Sequence, residues 1–277
     1  MPSESTGKPD DQPTGDIMGG IPSIEEVIAV TDPGEIGRDE HTVVDRFVIQ
    51  VGNLFAWLFP VLMIAIVVQV IIRKMGNNQA WIDDLQWWLY GVSMMVGFSY
   101  AITTNSHVRV DIFHAKFSRE KQARIELFGL GWLLLPFLAM QGDIFMHYAY
   151  ASYKVGEISD SPTGLHGIYM LKMFLVALFM LGILATLSAL WRNLRRLGRA
   201  NLFWLIIAGL PAFLFGAQRL AHYALWWYVR LSQPDIKPRR INREAIMDYG
   251  LWIGFAVVGV ALILSYFATR RRAAQRG

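Results

Sequence analysis

Hydrophobic residues in this chain come in blocks, without the alternation of a half-buried strand. Phe47–Ile72 runs 26 residues without a charge and Leu85–Ser106 runs 22. Further on, Ala200–Gln218 runs 19 and Tyr249–Thr269 runs 21. Two more apolar segments carry only Glu126 and Asp143 (in 125–149) and Lys172 (in 167–191) as charges. In lipid a helix satisfies its backbone within itself, and a run of about 18 apolar residues is long enough to cross. The pattern predicts an all-α integral membrane protein with spans at 47–72, 85–105, 125–149, 167–191, 201–229 and 249–269. A four-helix transmembrane core would occupy 45–195, and two further C-terminal membrane helices would lie within 200–277. Arg219 falls inside the fifth span and makes its outer end the hardest to place.

Basic residues set the orientation, because cytoplasmic loops carry the excess of Lys and Arg. They gather after the second span (Arg109, Lys116, Arg119, Lys121, Arg124), after the fourth (Arg192, Arg195, Arg196, Arg199) and at the end (Arg270, Arg271, Arg272, Arg276). All three groups share one side when both termini are cytoplasmic. The opposite side has Arg73, Lys74 and Lys154, and also a loop that resists the rule, with Arg230, Lys237, Arg239, Arg240 and Arg243. Either that loop crosses despite its charge, or one of the last two segments does not span. Trp81, Trp87 and Trp88, and later Trp226, Trp227 and Tyr228, suit the headgroup belts. Ser93, Gly97 and Ala101, and Gly250 and Gly254, form small-residue stripes, read as internal packing ahead of a partner surface.

Composition agrees with a membrane protein: 54% of residues are hydrophobic and 17% charged, against about 25% charged in soluble domains. With no cysteine, disulfides, thiolate metal sites and cysteine-ligated clusters are excluded. Residues 1–40 hold ten acidic side chains against Lys8 and Arg38 and read as an acidic, disordered cytoplasmic tail in place of a cleaved leader. The net +4 thus divides into −8 in the tail and +12 elsewhere. The basic excess belongs to membrane-flanking loops, so the expected partners include membrane lipid and exclude nucleic acid.

The densest polar stretch is "TNSHVRVDIFHAKFSREKQAR" at 104–124. His107, Asp111 and His114 share one face of a helix there, yet no HExxH pattern or cysteine completes a metal set, and a helix leaving the membrane is the favoured reading. His147, His166 and His222 invite a haem reading, but His166 at a loop edge fits a pair of axial ligands poorly. Asp143 and His147 lie one turn apart inside the third span, with Arg219 or Lys172 as the expected partner of Asp143. Asp83 and Asp84 open the second span, where acids complement the helix dipole. No Gly-rich nucleotide loop and no nucleophile motif occurs, so neither an enzymatic reaction centre nor a cofactor is expected.

"WIDD" at the start of the second span, the apolar run, then "TNSHVRVD" and a basic stretch, resemble the small integral membrane subunit of TRAP (tripartite ATP-independent periplasmic) transporters. "ISDSPTGLHGIYMLK" before the fourth span is similar to the family's approach to its last core helix. The resemblance covers about 45–195; the chain adds Met1–Glu40 and roughly 200–277. It implies a non-catalytic scaffold in a bacterial inner membrane that braces a large permease subunit and helps dock a periplasmic substrate-binding protein. The large subunit would carry the substrate and move it by an elevator-like mechanism. Uptake of an organic acid would be driven by a sodium or proton gradient. Asp84, His107, Arg109 and Asp111 are the residues expected at structural or subunit contacts, with His107 and Asp111 joined by a local hydrogen bond and Arg109 facing phosphates or the large subunit. The alternatives are a haem-bearing membrane anchor of a respiratory oxidoreductase and a stand-alone carrier.

Overall fold

The charge-free runs fold as helices, and the polar residues bounding them fix where each begins. The structure, a computed structural model, describes residues 38–106 and 117–274. A 3₁₀ turn at Arg38–Glu40 leads into α1, Val43–Ala56, so the last three residues of the expected acidic tail are folded. Thr42 caps α1 reciprocally. Its hydroxyl accepts from the Asp45 N–H, and the Asp45 carboxylate accepts from the Thr42 N–H at 2.8 Å. This capping box satisfies two donors that a helix start leaves unpaired. After a turn at Trp57 the chain continues as α2, Leu58–Lys74, and α3 is Ala80–Thr104. Asn105, in the left-handed region at φ 55, ends α3.

α4 (Arg119–Phe128) starts from a Ser118 cap and runs through a π-helical turn at Gly129–Leu134 into α5 (Leu135–Val155). Pro136 accounts for the widened turn. It has no N–H for the Trp132 carbonyl, and its ring crowds that position in regular α geometry. α6 is Ile168–Arg196. Beyond it come α7 (Leu202–Ala208), α8 (Leu210–Ser232), the single turn α9 (Pro238–Ile241) and α10 (Tyr249–Ala274).

Among the described residues four helices are long and apolar enough to cross a membrane: Val43–Lys74, Arg119–Val155, Ile168–Arg196 and Ala245–Arg271. The sequence reading differs from this in two places. The expected second span, α3, is absent from that set, since Trp, Tyr, Ser and Thr dilute its apolar content. Packed among α1, α2 and α6, it buries Ser93, Ser99 and Thr103, and so can be more polar than a lipid-facing helix. The expected fifth span is not one straight helix. α7 and α8 meet at Gly209 with a 90° bend and give a fifth crossing only if the pair is taken together.

The helix α6 is the hub. Half of its most apolar stretch is buried, against 6% for Val43–Lys74. Leu181, Ala185, Ala189 and Leu190 of α6 meet Val48, Ile102, Leu130, Leu135 and Ala212 in the main core. α10 packs on α8, where Gly254 sits so close that an added Cβ would lie 2.8 Å from the Gln218 Cα. The Gly250/Gly254 stripe therefore serves internal packing, whereas a Cβ on Gly97 would meet nothing within 4 Å.

Candidate functional site: three polar joints between the helices

The first joint ties together one end of the bundle. Arg192, near the last turn of α6, places Nη1 3.3 Å from Asp45 Oδ1 of α1. Its Nη2 donates to the Thr103 carbonyl of α3 at 2.7 Å. That carbonyl belongs to the last turn of α3, where carbonyls lack helical partners and a cation favours the negative end of the dipole. Asp45 sits at the opposite, positive kind of terminus. Both side chains are shut off from solvent, Asp45 at 0% and Arg192 at 5% exposure. Thr42 Oγ1 and Ser188 Oγ are 2.5 Å apart, and Arg196 holds Glu40 from Nε at 2.9 Å. His41 is buried beside the pair. Burial first, and then the Arg192 charge, push its imidazole below the ordinary range.

The second joint lies at the opposite end and contains Asp84. Its Oδ2 accepts the Leu165 N–H at 2.9 Å, and the Trp81 N–H in the first turn of α3 donates to the Thr163 carbonyl at 3.1 Å. The loop "ISDSPTGLH" thus caps α3, supplying an acceptor to one of the donors a helix start leaves open. Gly164 is required there, since a Cβ would fall 2.8 Å from Asp84 Oδ2 and closer still to Ser159. The neighbouring Asp83 points to α2, accepting from Gln69 Nε2 at 2.8 Å and pairing with Arg73 at 3.3 Å. The acidic pair therefore makes tertiary contacts beyond any interaction with the helix dipole. Nearby, Lys172 meets Glu157 at 2.5 Å, with its Nζ 4.0 Å from the Tyr148 ring centroid. Hydrogen bonds from Lys172 and Ser152 hold the Glu157 carboxyl below its ordinary range.

The third joint fastens α8 to α5. Arg219 Nε lies 2.9 Å from Asp143 Oδ2, and the Tyr223 hydroxyl donates to Asp143 Oδ1 at 2.5 Å. His147 Nε2 sits 2.8 Å from the same hydroxyl and 3.0 Å from Arg219 Nη2. Of the two partners expected for Asp143, the structure selects Arg219; Lys172 is engaged by Glu157. Where helices pass through lipid, a charge lowers its cost by pairing inside the bundle, and this cluster does so.

Of the four residues expected at contacts, Asp84 has a defined partner, and His107, Arg109 and Asp111 lie outside the described residues, as does the hydrogen bond expected between His107 and Asp111. Asp45, Thr103 and Tyr223 were not singled out from the sequence, and Arg192 only as a loop charge. The available signal was the Thr42-x-x-Asp45 capping box before an apolar run. Among the described residues no three His, Asp or Glu side chains converge as a metal site.

Residues 62–196 match the family model for the DctQ component of tripartite ATP-independent periplasmic transporters. Over these residues, just under half of the chain, the protein is a DctQ-like small permease subunit. The match ends at Arg196, the last residue of α6, so the second joint lies wholly inside the DctQ region. The first reaches out of it to Asp45, and the third reaches out to α8. No curated protein and no solved structure matches the chain. The protein, all-helical over its described residues, is thus a multi-pass membrane component of a TRAP system, a family that works with other components in a tripartite assembly.

Proposed function

We propose that the chain is the non-catalytic small subunit that braces the large permease subunit in a bacterial inner membrane and helps dock the periplasmic substrate-binding protein, for ion-gradient-driven uptake of an organic acid. The observation that carries this reading is the uncovered face of Val43–Lys74. Only 6% of its apolar stretch is buried, and Gln50 and Asn53, exposed one turn apart on α1, have no hydrogen-bond partner among the described residues. Lipid tails offer an amide nothing to bond, whereas a neighbouring helix does. The charged groups Asp45, Arg192, Asp143 and Arg219 are meanwhile paired in joints between helices, which suits a brace more than a carrier. His107, Arg109 and Asp111 belong in this proposal as contacts to the large subunit or to headgroups.

Reconstitution tests it. The chain co-expressed with its large subunit should co-purify with it. Proteoliposomes should take up an organic acid only with the large subunit and the binding protein present. Uptake by this chain alone, or a Soret band in the purified protein, would overturn the reading.

A further inference from the structure

The last turn of α8 and the loop from there to α10 carry five basic residues, and the fold gives this loop a definite place. α8 runs alongside α5 in the same direction, Arg219 meeting Asp143 and Tyr223 meeting His147, so its end at Ser232 lies toward the Asp84 end of the bundle. The loop does not stand away from the helices. Ile241, wholly buried, packs with Val229 and Met247, and Leu225, Trp226, Ile236 and Ile246 close around them. The loop therefore folds back beside the last two turns of α8. These turns carry exposed Trp227 and Tyr228, and exposed Tyr249 and Trp252 stand at the facing start of α10. Such rings settle at headgroup level.

Arg230 is used internally, its Nη1 donating to the carbonyls of Pro234 at 2.9 Å and Ile236 at 3.0 Å. The other four, Lys237, Arg239, Arg240 and Arg243, are exposed, and none has an ion pair among the described residues. No acidic residue interrupts 236–243. Below them an apolar groove of about 520 Å³ opens between α8 and α10, lined by Ala217, Ala221, Ile253 and Val257 among others. The uppermost lining residues, Ala224 of α8 and Ile253 of α10, lie within one turn of the exposed Tyr228 and Trp252, so the groove reaches the aromatic level.

We propose that this basic strip and the groove beneath it hold an anionic phospholipid, its phosphate against Lys237, Arg239, Arg240 and Arg243 and one acyl chain between α8 and α10. Charge complementarity at headgroup level selects the occupant: phosphates lie at the depth of the aromatic belt, and a groove of small apolar side chains suits a hydrocarbon tail. It also gives a use to a basic loop placed against the usual charge bias of membrane topology.

Native mass spectrometry of the purified full chain, with phosphatidylglycerol or phosphatidylethanolamine added, tests the proposal. The wild type should retain phosphatidylglycerol preferentially, and inorganic phosphate should not displace it. The K237Q/R239Q/R240Q/R243Q variant should lose about fivefold or more of that retention, the scale of a single basic residue at an anionic surface. Arg195→Gln with Arg199→Gln, at the other end of the bundle, should change nothing. If the fourfold variant aggregates, R239Q/R240Q carries the same test with a smaller loss. Equal retention of both lipids by the wild type, or undiminished retention by a folded variant, would overturn the proposal. So would loss of binding to the substrate-binding protein with lipid retention unchanged, which would assign the strip to a protein.

Discussion

Asp45 at the start of α1 and Arg192 near the end of α6 form a buried ion pair, 3.3 Å apart, that joins a segment outside the DctQ match to the last helix within it. Removing one partner of such a pair strands the other charge, which costs about 3–5 kcal/mol, while replacing both with apolar residues is often neutral. Asp45→Asn and Arg192→Met should each lower the thermal midpoint of the purified protein markedly. The double variant Asp45→Leu/Arg192→Met should recover most of the loss. Additive losses in the double variant would show that the two side chains act separately.

Asp84→Ala should release the loop that caps α3. A hydrogen bond to a charged acceptor contributes roughly 1.5–3 kcal/mol, so amide exchange over 158–166 should quicken while that of α6 stays slow. Unchanged exchange at Leu165 would remove Asp84 from this role.

Gly131 lies under the end of α7, where an added Cβ would fall against the Ala208 carbonyl oxygen. Gly131→Leu should therefore push the C-terminal helices off the core, with an overpacking cost of about 1–3 kcal/mol or more. A disulfide engineered between α5 and α8 would report it: efficient closure in the parent, poor closure in the variant. Equal closure in both would mean the extension is held elsewhere.

The pH dependence follows from His41. Its folded imidazole titrates below the ordinary value of about 6.5, because burial and the Arg192 and Arg46 charges outweigh Asp45 and Glu40. The stability it contributes is full above that ordinary value and is lost as pH falls through the lowered one. Melting temperature should thus drop between pH 7.5 and 5.5, and His41→Gln should flatten that drop. A variant with the wild-type slope would place the effect on another group.

The helices were legible because lipid imposes a single rule on the backbone, and charge-free runs are visible in one dimension. Their exact apolar standing was less so. The Trp, Tyr, Ser and Thr of α3 read as a span by lack of charge, but the fold lets them be there by enclosing the helix. The break at Gly209 was hidden inside an unbroken apolar run. Neither the glycine nor Pro211 announces a right angle, which depends on where Gly131 lets α7 rest. The Asp143–Arg219 contact was among two readable choices, whereas Asp45–Arg192 spans most of the chain and needed three dimensions. Asp84 was visible in the sequence as an acid opening a span, while its bond to the Leu165 N–H was not.

The right angle at Gly209 also bears on how the protein is made. α8 begins beside Leu135, within the length of the 119–155 helix, so the segment 202–232 offers an insertion machine a crossing only as a bent pair and not as one straight helix. It needs a wall already standing. The ribosome releases this segment only after α1 to α6 have emerged, and synthesis order thereby becomes assembly order: the core acts as template, and the C-terminal hairpin docks last.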